Sequence, residues 1–77
     1  MRIISSDGTK NAAYENVIIQ LVEYVDDPKA YIVSITNRGS VGLGEYPIER
    51  AKEIFEEIIE HGNLNKNVYR MPKEVKP

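Results

Sequence analysis

The sequence predicts an α+β domain: an antiparallel sheet of about four to five strands with one amphipathic helix packed on one face. Two observations predict it. Val and Ile supply 17 residues against 3 Leu, and 13 of the 17 lie outside the one stretch with helical periodicity. Such β-branched side chains are stiff at χ1 and fit a pleated surface. In the remaining stretch Ala51, Ile54, Phe55, Ile58 and Ile59 recur at helical spacing, while Glu49, Lys52, Glu53, Glu56, Glu57 and Glu60 fill the other side. That pattern is an amphipathic helix from about Pro47 to His61.

Each element follows from its local chemistry. Met1 to Ser5 reads as a short strand, closed by Ser6-Asp7-Gly8-Thr9, where Asp-Gly suits a tight turn. Tyr14 to Val25 reads as a long strand with apolar residues at both parities. Val17, Ile19, Leu21 and Val25 point one way, and Ile18, Val22 and Tyr24 the other. Asp26-Asp27-Pro28-Lys29 is a turn, Ala30 to Thr36 a third strand, Asn37 to Ser40 a second turn, and Val41 to Tyr46 a fourth strand. Pro47 fits the first helical turn, where its missing N–H has no intrahelical partner, and Gly62 fits the position just past the helix end. Asn67 to Met71 is a last strand, stopped by Pro72. The organisation is therefore one domain over residues 1–72 and a mobile tail over 73–77.

The expected core packs the helix stripe on Val17, Ile19, Leu21, Val33 and Ile35. One helix covers only one sheet face, so Ile18, Val22, Tyr24 and Ile32 are expected on the uncovered face, to be buried by a second subunit. A chain of 77 residues without disulfides has little core of its own, which favours a homo-oligomer.

Composition narrows the function. The chain carries 10 Lys+Arg, 12 Asp+Glu and no Cys, for a net charge of −2. Disulfides, thiolate metal sites and cysteine nucleophiles are excluded, and extended duplex binding lacks the basic surface it needs. Apolar runs of three or four residues are far short of the ~20 that span a bilayer, and the opening lacks an apolar secretory segment, so a cytoplasmic protein with no membrane partner is expected. The single His, His61, falls in the last helical turn, and no G-x-S-x-G elbow surrounds any serine. The Glu-rich helix side lacks the E-x-x-H spacing of carboxylate metal sites. No catalytic residue, metal or cofactor is therefore expected. The glycines of Gly39-Ser40-Val41-Gly42-Leu43-Gly44 do not follow a phosphate-loop order. Arg50, however, stands in the first helical turn, where an anion nearby would suit it, and Tyr69 beside Arg70 offers an aromatic face next to a planar cation.

The opening M-R-I-I-S-S-D-G-T, Y-E-N-V at Tyr14 to Val17, L-G-E-Y at Leu43 to Tyr46 running into E-R-A-K, and Y-R-M-P at Tyr69 to Pro72 resemble a family of small proteins in phages and prophages of Gram-positive bacteria. The layout of antiparallel strands followed by a helical portion is also similar to the phage anti-Thoeris sponge proteins, oligomers that sequester a cyclic ADP-ribose signal without degrading it. The resemblance implies a non-catalytic binding protein acting in the host cytoplasm on a small anionic, nucleotide-like ligand. Arg50, Tyr69 and Arg70 are the candidate contacts, and their convergence requires a bulge or a neighbouring chain, because Tyr69 and Arg70 project to opposite faces of a regular strand. The alternative is an inhibitor that docks on a host protein through the acidic helix face or the second apolar sheet face.

Overall fold

A computed structural model describes residues 1–74. The order is β1 (Arg2–Ile4), β2 (Asn11–Ala13), a single 3-10 turn at Tyr14–Asn16, β3 (Ile18–Glu23), β4 (Lys29–Thr36), β5 (Gly39–Pro47), α1 (Ile48–Asn63) and β6 (Val68–Arg70). The class is α+β as the sequence predicts, but the strands form two three-stranded sheets rather than one. The first sheet has the order β2-β1-β6, with β1 antiparallel to β2 and parallel to β6. The second is the antiparallel meander β3-β4-β5. The parallel pair is possible because the long path through the meander and α1 supplies the crossover that parallel strands require.

The predicted Tyr14 to Val25 strand is shorter than expected. Its beginning is the 3-10 turn, and Asn11–Ala13, for which the sequence predicts no element, form β2. Asp7 explains how β1 reverses. Its Oδ1 accepts hydrogen bonds from Ser5 Oγ (2.7 Å), Thr9 N (3.0 Å) and Thr9 Oγ1 (2.7 Å), while Gly8 takes φ +77. The Ser5 hydroxyl, then the Thr9 groups, hold the Asp7 carboxyl well below the usual carboxylate range. Ser6 N donates to Leu43 O (2.9 Å), which joins this turn to β5.

The register of β4 corrects the expected core. Leu21 pairs with Ile32 and Ile19 with Ser34, so Ala30, Ile32 and Ser34 face the helix, whereas Tyr31, Val33 and Ile35 face away. Ile32 is fully buried instead of lying on the uncovered face, and Val33 and Ile35 are only half-buried. Alternation makes the two parities equally legible; small Ala30 and Ser34 inside leave room for α1 to approach. From the helix, Ala51, Ile54 and Ile58 are fully buried, whereas Phe55 is half-buried and Ile59 is 37% exposed. The space beside them is filled from both sheets by Ile3, Leu43, Tyr46, Tyr69 and Met71. A bulge between β4 and β5 near Ile32 and Val33 turns Leu43 into this core.

The helix runs past Gly62. Lys66 N donates to His61 O and Asn65 N to Gly62 O, both at 3.1 Å, with Asn65 at φ +56, which is a Schellman end with Asn rather than Gly in the left-handed position. Gly62 serves packing instead, because a Cβ there would stand 2.4 Å from the Tyr14 ring. Of the expected tail, Glu74 Oε1 accepts from Ser6 Oγ (3.1 Å) and Glu45 N (2.9 Å); residues 75–77 lie outside the described residues.

Candidate functional site

The three residues expected to hold an anion do not converge. Arg50, in the first turn of α1, donates from Nη1 to Glu53 Oε2 at 3.0 Å and stands 3.8 Å from Glu57 Oε2. Tyr69 turns inward from β6, 6% exposed, and its hydroxyl donates to Glu57 Oε1 at 2.7 Å. Glu57 thus occupies the place an anionic ligand would take between them. Burial, then the bond to Glu57, pushes the Tyr69 phenol well above the ordinary tyrosine range. Its ring also packs against the His61 ring in a T-shaped pair with centroids 4.9 Å apart. His61 Nδ1 donates to Glu57 O at 2.8 Å, the carbonyl one turn back. Arg70 projects to the other side of β6, where it borders a shallow groove with Ser5, Ser6, Gly8 and Lys73, and with the Asp7 carboxylate. Glu57, which the sequence places only on the polar side of the helix, is the residue that joins Arg50 to Tyr69. Its position seven residues after Arg50, on the same helix face, was the available signal.

The outer face of the β3-β4-β5 sheet, opposite α1, has different chemistry. Across its rungs Ile18 pairs with Ile35, Gln20 with Val33, and Val22 with Tyr31, while Val33 pairs with Gly42 and Tyr31 with Glu45. Tyr24 extends the row, its ring edge-on to Tyr31 at 5.1 Å. Ile18 is 66% and Tyr24 56% exposed, Gln20 is exposed as well, and Val22, Tyr31, Val33 and Ile35 are half-open. A Lys29–Glu45 ion pair (3.0 Å) stands at the rim, and hydrogen bonding to Glu45 holds the Tyr31 phenol above its ordinary range. The expectation that Ile18, Val22 and Tyr24 share an uncovered face therefore agrees with the structure, with Tyr31, Val33 and Ile35 in place of Ile32. An apolar, tyrosine-bearing centre with a polar rim is the anatomy of protein recognition surfaces.

Among the described residues no cluster of three His, Cys, Asp or Glu side chains is placed to hold a metal, and no helix is long and apolar enough to cross a membrane. No protein-family model, curated protein or solved structure matches the chain.

Proposed function

We propose that the protein is a non-catalytic binding protein that docks on a partner protein through the outer face of the β3-β4-β5 sheet. One observation carries this reading: the row of Ile18, Val22, Tyr24, Tyr31, Val33 and Ile35 lies on the face opposite the helix, while the core is completed without it. Tyrosine supplies large contact area at small entropic cost, and rim charges such as Lys29 and Glu45 select orientation. The phage resemblance of the sequence makes the partner a protein of the bacterial host. Replacing Tyr31 with a photo-crosslinking phenylalanine should yield one dominant adduct in host cells. The adduct's partner, purified, should bind the wild-type chain and fail to bind Val33→Lys.

A second reading, sequestration of a nucleotide-derived signal such as cyclic ADP-ribose or a cyclic nucleotide, rests on Arg70 and Lys73 bordering one groove, where an anion would have to share the two cations with the Asp7 carboxylate. Thermal-shift measurements with a panel of cyclic nucleotides decide between the two. Stabilisation of the wild type that disappears in Arg70→Ala overturns protein docking in favour of the sponge.

A further inference from the structure

We propose that the free edge of β3 is an interface for a second copy of this chain, pairing antiparallel with the partner's β3 across a two-fold axis at Gln20. β3 ends its sheet, and among the described residues no strand pairs with its outer side. Exposed edges are ordinarily blunted by Lys, Pro, a bulge or a covering segment. Ile18–Glu23 contains neither Lys nor Pro and runs along β4 without a register shift; the bulge of this sheet lies one strand further in, between β4 and β5.

The chemistry on the two flanks of this edge selects its occupant. On the outer flank stand Ile18 and Val22. On the helix flank a shallow apolar groove opens beside the strand, lined by Tyr14, Val17, Ile19, Phe55 and Ile59. A strand added here must therefore be apolar at both parities, whereas an ordinary half-buried strand is apolar at one. β3 itself meets that requirement, with Ile18 and Val22 at one parity and Ile19 and Leu21 at the other.

The register follows from the same residues. Two copies sharing one sheet face must oppose residues of equal parity. With Gln20 on the axis, Ile18 opposes the partner's Val22, Ile19 opposes the partner's Leu21, and the two Gln20 amides meet at the centre. Glu23 then faces the partner's Val17 rather than another acid. The partner's Leu21 comes beside Ile19 at the mouth of the groove bordered by Phe55 and Ile59. Moving the axis to Leu21 instead sets Glu23 against Ile19 and Gln20 against Val22, and leaves Leu21 against the partner's Leu21 as the one apolar pair within β3. The pairing extends the outer apolar row across both copies without covering it, so it goes beyond the docking reading above and stands or falls separately.

Light scattering across a dilution series tests the interface. The wild type should have twice the 8.8 kDa chain mass and dissociate on dilution. Gln20 is exposed, so Gln20→Lys and Gln20→Glu keep the fold, as circular dichroism verifies, but each sets two like charges on the axis and should give a monomer. Mixing the two variants in equal amounts should restore the dimer. A wild type that is monomeric throughout, a dimer in either single variant, or a mixture that stays monomeric overturns the proposal. Gly42→Lys separates the surfaces: it sets a charge beside Val33 on the outer face, in open space and two strands from the β3 edge, so it should abolish partner docking and leave the dimer intact, and loss of the dimer in Gly42→Lys places the interface on the outer face and overturns edge pairing.

Discussion

β4 presents two faces with nearly the same apolar character and opposite fates. Ala30, Ile32 and Ser34 lie beneath α1 and are buried, whereas Tyr31, Val33 and Ile35, the larger set, are left half-open. Size and hydrophobicity therefore did not decide which face became the core. The covered face is the one whose small residues allow the helix close, and whose remaining volume is filled by Tyr46 from β5, Tyr69 from β6 and Met71 just after it. The open face holds the side chains with more contact area to offer a partner.

Adjacent truncations on β4 break or sharpen this contrast most strongly. Ile32→Ala removes a fully buried side chain and should cost about 2–5 kcal/mol, most of the stability of so small a domain. Val33→Ala, one residue on, should change stability by less than about 1 kcal/mol. Denaturant midpoints of the two variants measure the difference, and equal losses would mean that the two faces are packed alike.

Two glycines of β5, Gly42 and Gly44, repeat the comparison with an added methyl group. A Cβ at Gly44 would meet Tyr46 Cε2 and its hydroxyl oxygen at 2.8 Å and Met71 Cε at 3.1 Å, whereas one at Gly42 meets nothing within 4 Å. Gly44→Ala should therefore destabilise by about 1–3 kcal/mol through overpacking. Gly42→Ala should be neutral or stabilise by up to about 1 kcal/mol by restricting the unfolded chain.

The inner face also predicts a loss of stability in alkali. Burial pushes the Tyr46 phenol up to about 12, and burial with the Glu57 bond raises Tyr69 further. The unfolded chain gives up these protons near pH ~10, so the folded state, which retains them, loses stability as pH rises above that value. Below it the contribution is fully present. Thermal midpoints measured upward from pH ~9 should fall, and the fall should be shallower in Tyr69→Phe, although that variant starts lower through the lost hydrogen bond.

The smallest effect belongs to the rim of the open face. Glu45→Gln breaks the exposed pair with Lys29 and should leave the thermal midpoint within measurement error. A clear drop would show that Glu45 also orders the Tyr31 hydroxyl, and with it the outer row.

The residues of the proposed anion site teach the same lesson from the side of function. Residue type pointed to Arg50, Tyr69 and Arg70, because a guanidinium and an aromatic ring are what a phosphorylated ring compound needs. Arg50 and Tyr69 instead share Glu57, and alternation along β6 turns Arg70 away from both. A carboxylate seven residues from an arginine was visible on the helix face, but its reach to a tyrosine from β6 depended on where that strand docked. The outer face was legible in part. Apolar residues at both parities of β3 announced a surface that one helix does not cover, and Ile18, Val22 and Tyr24 lie there.

By itself, the sequence determined the α+β class, the helix and its buried Ala51, Ile54 and Ile58, the hairpin turns and the two-sided apolar character of β3. These rest on periodicity and local backbone preference, which act within a few residues. Only the tertiary structure decided that β1 and β6 leave the meander to pair with each other in parallel, that Ile32 rather than Val33 meets the helix, and that Tyr46 and Tyr69 become core. Each of those outcomes depends on which side of a strand finds matching volume in a segment far away in the chain. A period-two pattern with apolar residues on both sides offers two registers of similar local energy, and long-range packing chooses between them.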